Sequence, residues 1–254
     1  MMFASLFATL MQVVTKPYFL LPAIIVLLFS AGTSMIANSA LERPMIDFIL
    51  YPDMLPSDSV FGILFTNYPF EIISIIACGI LLSIVSIIAF MSISRLAMGE
   101  KFVEAINSSV ADWKKAIALT IVIIFAFLIA IILISAVLAL SIINPIISLI
   151  LFIVALIVII VVLVKIAFVI PALIESEAKQ AIQETWKYTN KRFWKTIALV
   201  ALSGVIGVVG TLILIQIGIF IGPAGELPFE ILGESFGSTY FIASITNYFY
   251  AKQK

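Results

Sequence analysis

Gln216, Glu230 and Glu234 are the residues whose types and spacing come nearest to doing chemistry in this chain. The two glutamates stand one helical turn apart, Glu226 precedes them by another turn, and Gln216 falls at a similar depth on the apolar segment before them. Carboxylates grouped with an amide can hold a cation or pass a proton. They can equally be the solvated start of a helix, where acids suit the positive end of the helix dipole. Glu71 opens an earlier apolar segment and reads the same way. Lys165 is a second kind of candidate, because ionisable groups within apolar segments are costly and mark function by default. It also lies near enough to Pro171, roughly 9 Å along a helix, to reach the interface by snorkelling.

The rest of the reactive inventory is sparse. There is no histidine, and Cys78 is the only cysteine, which removes disulfides, zinc sites and iron–sulfur ligation within the chain. No phosphate-binding loop, GxSxG elbow or HExxH pair occurs, and no aspartate lies inside an apolar segment. The expectation is a protein without enzymatic activity, cofactor or metal.

The elements that must position these residues are apolar throughout. With 63% apolar and 11% charged residues and a mean hydropathy of +1.27, the chain falls outside the range of soluble domains. A net charge of zero leaves no concentrated basic face for nucleic acid. Six segments reach the roughly 20 residues a hydrocarbon core demands: about 18–40, 70–94, 116–142, 146–171, 196–221 and 230–250. The third and fourth are separated only by Asn144-Pro145, a pair suited to a tight hairpin. The sixth is the weakest, diluted by Glu234, Ser235, Ser238, Thr239, Ser244, Thr246 and Asn247. The start of the chain has no basic region before a small-residue cleavage site, so the first span is expected to stay.

Charge orients the spans. Of the 14 lysines and arginines, all but Arg43 and Lys165 fall at the chain ends or between spans two and three and spans four and five. By the positive-inside rule these segments, with both termini, are cytoplasmic in a cell membrane. The NSS at Asn107 is then a glycosylation sequon on the wrong side.

Both basic loops carry an amphipathic pattern. In the second, Ala178, Ile182, Thr185, Trp186, Thr189 and Phe193 recur at helical steps, with Trp194 beyond; in the first, Phe102, Ala105, Ile106, Ser109, Val110 and Trp113 do the same. Such helices can lie in the headgroup layer, with Phe102, Ile106, Trp113, Ile182, Trp186, Phe193 and Trp194 at interfacial depth. IAF, Ala-Ile and Trp-Lys followed by IAL occur in both copies, and Phe3, Leu6, Phe7, Leu10 and Val14 suggest a third at the N-terminus. The expected fold is therefore one all-α domain, 1–254, a six-span bundle with amphipathic cytoplasmic interfacial helices. It would be a parallel internal repeat with possible units 1–96, 97–173 and 174–254, around a pseudo-threefold axis.

The run IPALIESEAKQAIQETWKYTNKRFWKTIALV, at 170–200, resembles a pattern in poorly characterised polytopic membrane families. There, a span ends in a proline and an acidic residue, and an Ala-Ile helix and a Phe-Trp lead-in to the next span follow. It is similar to the membrane domain joined to some glycerophosphodiester phosphodiesterases. The resemblance implies topology only; it carries no catalytic residue, and no soluble phosphodiesterase domain is present.

Two further features bear on packing. Gly204, Gly207 and Gly210, then Gly218 and Gly222, place small residues on span five, where helices approach closely, within the chain or in a homo-oligomer. In the outer loop from Glu42 to Pro69, Ser57 or Asp58 can cap a short helix. The function expected from all this is a scaffold, accessory or lipid-organising bundle, with membrane lipids and a protein as partners. The alternatives are a small transporter or channel with its path between the units, and a membrane subunit of a lipid-modifying system.

Overall fold

The computed structural model describes residues 2–50 and 67–251. Ser57, Asp58, Lys252 and Lys254 lie outside the described residues. Described residues form helices and short connections: α1 (Met2–Thr15), a single 3-10 turn (Pro17–Leu20), α2 (Leu21–Leu50), α3 (Pro69–Ala97), α4 (Phe102–Ala111), α5 (Trp113–Ile143), α6 (Pro145–Glu175), α7 (Ala178–Lys191), α8 (Phe193–Ile221) and α9 (Pro223–Tyr250). The protein is an all-α bundle. Among the described residues five helices, at Pro17–Ile46, Pro69–Ala97, Trp113–Leu140, Ile146–Glu175 and Phe193–Ile221, are long and apolar enough to cross a membrane and mark a multi-pass membrane protein.

Local chemistry explains where the helices stop. Asn144 caps α6, its Oδ1 accepting from the backbone N–H groups of Ile146 and Ile147 at 3.1 and 3.2 Å, while Pro145 takes the first helical position, where no donor is needed. The expected hairpin is thus built from two residues. The Ser148 hydroxyl donates across it to the Val137 carbonyl at 2.8 Å. Gly99 follows α3 at φ 98°, a conformation that favours glycine, and Gly222 makes the turn between α8 and α9 at φ 96°. Pro171 does not end its helix; α6 continues to Glu175. The carbonyl one residue past the acceptor that Pro171 leaves without its helical donor, that of Phe168, also accepts from the Thr185 hydroxyl of α7 at 3.2 Å.

The helix order in space is cyclic. The second helix of each hairpin, α3, α6 and α9, touches the other two, and each pairs with its own hairpin partner, α2, α5 and α8. Each also touches one further long helix: α3 meets α5, α6 meets α8, and α9 meets α2. The short helices follow the same sense, α4 on α3, α7 on α6, and α1 on α9. Side-chain contacts with neighbouring elements place all three at one end of the bundle. Tyr18 meets Phe102 with ring centroids 6.0 Å apart, Tyr188 meets Phe249 at 5.0 Å, and Asn247 Nδ2 donates to Thr9 Oγ1 at 2.9 Å. We call this the basic end.

Burial concentrates there. The core unites Ile87, Met91, Ile93 and Leu96 of α3, Phe168, Val169 and Leu173 of α6, and Tyr240, Ile245 and Phe249 of α9. The far halves of α5 and α6 instead expose Phe127, Ile132, Ile146 and Leu149. Such surface is untenable in water and ordinary in hydrocarbon.

The weakest apolar segment turns out to be the innermost helix. α9 starts at Pro223, well before the expected 230, and runs 28 residues, about 42 Å. Ser235, Thr239, Ser244 and Thr246 are fully buried. Their polarity escapes lipid because neighbouring helices cover them, which is why hydropathy undervalues this helix.

Candidate functional site

The expected cluster of Gln216, Glu230 and Glu234 is not assembled. α8 meets α9 through Gly207, where an added Cβ would stand 3.1 Å from the Gly237 carbonyl, and through Gly218, where it would stand 2.6 Å from the Phe229 Cβ. Gln216 lies half a helical turn from that seam, exposed among Leu212, Ile213 and Phe220. Glu230 and Glu234 are exposed on α9, and no hydrogen bond or ion pair between side chains joins the three. Similar depth on two helices says nothing about which way each one is turned. Of the other glycines, Gly210 faces the Phe236 ring, Gly204 faces open space, and Gly222 serves the turn and not the seam.

Polar groups gather at the basic end instead. Arg95 at the end of α3 donates to Glu100 at 3.2 Å and to Asp112 at 2.7 Å. Asp112 also pairs with Lys115 at 3.3 Å, and the Lys115 ammonium donates to the Leu173 carbonyl at 3.2 Å. This chain of charges ties α3, the turn after α4, α5 and α6 together. It also puts cations against the carbonyl ends of α3 and α6, where the helix dipole favours them. Below it, the Thr246 hydroxyl stands 2.9 Å from the Ser94 hydroxyl, and Tyr250 donates to the Pro171 carbonyl at 2.9 Å. A cavity of about 370 Å³ opens between the ends of the three central helices, lined by Ala97, Met98, Glu175, Asn247 and Tyr250. Its walls can hydrogen-bond a small polar ligand. Among the described residues no group of His, Cys, Asp and Glu is arranged to hold a metal.

The short helices carry two distinct surfaces. Small residues face inward: Ala105 and Ser109 on α4, Ala181, Thr185 and Thr189 on α7. The large residues expected at the interface divide. Trp113, Trp186 and Trp194 are exposed, whereas Phe102, Ile106, Ile182 and Phe193 are half-buried against the bundle. The helical face assigned to membrane contact is therefore shared between protein and surroundings. Its inward edge uses small residues because the helices lie close to α3 and α6.

Lys165 does not snorkel into open solvent. Its residue is 6% exposed, its ammonium donates to Asn190 Oδ1 at 2.8 Å, and it lies 3.3 Å from the centre of the Trp186 ring. Both partners belong to α7. Nearby, Tyr188 is packed between Phe168 and Phe249, and burial pushes its phenol above the usual range. Sequence gave no warning of the Lys165 contact, since Lys165 and Asn190 are 25 positions apart; the signal available was a lone cation in an apolar helix.

No protein-family model, curated protein or solved structure matches the chain. Its functional reading rests on this geometry.

Proposed function

We propose that the protein is a non-catalytic membrane bundle that organises lipid at one leaflet, built from three copies of one unit around a pseudo-threefold axis. Each unit is a short helix, a helix crossing outward and a helix returning: α1 to α3, α4 to α6, and α7 to α9. The observation that carries this reading is the cyclic packing, in which α1 closes on α9 as α4 lies on α3 and α7 on α6. A chain of unrelated segments has no reason to close in this way. On this reading α9 is a sixth span, shielded by its neighbours. Twelve lysines and arginines favour a cytoplasmic basic end and cytoplasmic termini.

Lipid is the partner that the surface chemistry favours. Trp113, Trp186 and Trp194 are exposed around the basic end, beside exposed Lys114, Lys187 and Lys195. Aromatic rings with adjacent cations suit a headgroup layer. Substituting Ile182, Trp186 and Phe193 with Ser is expected to lower the amount of co-purifying lipid while the spans still insert. Lipid-to-protein ratios after detergent extraction measure this; an unchanged ratio contradicts the reading.

Transport has one observation in its favour. Ser235 and Thr239 on the central helix hold buried hydroxyls with no hydrogen-bond partner among the described residues. Solute flux in proteoliposomes that is lost on Thr239→Val would replace the lipid reading with this one.

A further inference from the structure

Lys165 is the only charged residue among those described with less than a tenth of its surface exposed, at 6%. An ammonium carries three donors. One is taken by Asn190, and the Trp186 ring covers a second side at 3.3 Å. Neither contact neutralises the charge. The part-buried cations Arg95 and Lys115 both pair with Asp112, but no carboxylate stands within ion-pair distance of Lys165 among the described residues. An enclosed cation without an anion is expensive at the edge of hydrocarbon.

The charges of α7 are sorted around it. Lys179, Gln183, Trp186 and Asn190 follow at four, three and four residues, so they share one flank, with Lys187 beside them, and all five are exposed. Glu184 lies on the opposite flank of α7, where it accepts from the Ser176 hydroxyl at 3.3 Å, Glu177 at the helix start falls on that same side, and Glu175 ends α6 and lines the cavity between the central helices. An anion reaching the Trp186 flank therefore meets cations alone.

A second feature points to the kind of anion. Between α5 and α6 runs an apolar groove of about 140 Å³, lined by Ile123, Ala126, Phe127, Val158, Val162 and Ile166 among others. Val158, Val162 and Ile166 form one row of the α6 wall, and Lys165, the neighbour of Ile166, stands beside that end of the groove on the side facing α7. Cation and groove together match a molecule with an anionic head and a hydrocarbon tail.

We infer that Lys165, Trp186 and Asn190 seat the phosphate of an anionic phospholipid, with one acyl chain in the groove between α5 and α6. This deepens the lipid reading above and rests on it. Lys165 supplies the selectivity for net negative charge over a zwitterionic head, Lys179 and Lys187 on the same flank add longer-range attraction, and the Trp186 ring holds Lys165 in place from the side.

Native mass spectrometry of the full chain, titrated separately with phosphatidylglycerol, phosphatidylcholine and inorganic phosphate, tests this. Phosphatidylglycerol is expected to bind about tenfold more tightly than phosphatidylcholine, and Lys165→Gln to remove that difference. Lys101→Gln, at an exposed site just before another short helix, is expected to keep it. Should the Gln variant fail to fold, Asn190→Leu and the apolar Lys165→Met serve in its place. Bromine on the acyl chain is expected to quench Trp186 in a chain carrying Trp113→Phe and Trp194→Phe. Equal binding of the two lipids, or a preference that survives every substitution at Lys165 and Asn190, overturns the site while leaving lipid association intact. Inorganic phosphate that displaces phosphatidylglycerol at equal occupancy assigns a free anion and overturns the lipid. Failure to retain either lipid overturns the broader reading as well.

Discussion

Asn247 shows how a single polar side chain is used in this bundle. Its Nδ2 donates to Thr9 Oγ1 at 2.9 Å and reaches Gln12 Oε1 at 3.3 Å, fastening α1 to the innermost helix. Tyr240 adds a bond to the Leu6 carbonyl at 3.2 Å. Both partners of Asn247 lie on the face of α1 that the bundle covers, so loss of the amide leaves Thr9 and Gln12 short of a donor. Asn247→Leu is expected to cost about 1–3 kcal/mol and to speed amide exchange across residues 2–15, measured by hydrogen–deuterium exchange in detergent. Exchange that stays at the wild-type rate would remove Asn247 as the fastening. The sequence displayed Asn247 only as a residue that weakened an apolar segment. Its value depends on a partner more than 230 positions earlier, and local pattern carries no information about such a pair. Lys165 was harder still, since its two partners lie on a helix whose flank is fixed only by packing. The Asn144-Pro145 turn, by contrast, is made entirely of local chemistry and could be read in full.

At the scale of elements, the α8–α9 pair is held by close approach. Gly207, Gly218, Gly225, Gly233 and Gly237 leave no room for a side chain between the two helices. Gly204 points away into open space. Gly218→Ala, whose Cβ would press on Phe229 and the Gly225 carbonyl, is expected to destabilise by about 1–3 kcal/mol. Gly204→Ala is expected to be neutral or slightly stabilising, since alanine is the better helix former. Thermal unfolding of the two variants in one detergent separates them, and equal melting temperatures would refute the glycine seam. The three-residue spacing of Gly204, Gly207 and Gly210 marked a packing helix, but spacing alone did not say which glycines face the partner. For the same reason Gln216 was grouped with Glu230 and Glu234: depth is legible in sequence, rotation about the helix axis is not. The position of α9 was misleading for a further reason. The half of α9 from Ser235 onward is covered by neighbouring helices and is free to be polar there, so the segment that looked least like a span supplies much of the core.

For the whole molecule, the arrangement follows from where apolar surface is left uncovered. The core sits at the basic end, where three central helices and three short helices meet, and the opposite halves of α5 and α6 present bare Ile, Leu, Val and Phe. Such surface suits hydrocarbon, and on the function proposed above the charged and aromatic groups at the basic end then fall in a headgroup layer. The all-α bundle and its long apolar helices were plain from composition, because hydropathy summed over 20 residues does not depend on tertiary detail. The cyclic order depends on side-by-side contacts and was only hinted at by matched triplets such as IAF and IAL. Labelling decides the account most directly. With Cys78→Ala as background, single cysteines at Lys16, Val103 and Lys187, one on or beside each short helix, are treated with a membrane-impermeant maleimide in intact cells and after permeabilisation. All three are predicted to resist labelling until the membrane is opened. Labelling of Val103→Cys and Lys187→Cys from opposite sides would contradict the single basic face, the threefold arrangement and the lipid site built on them.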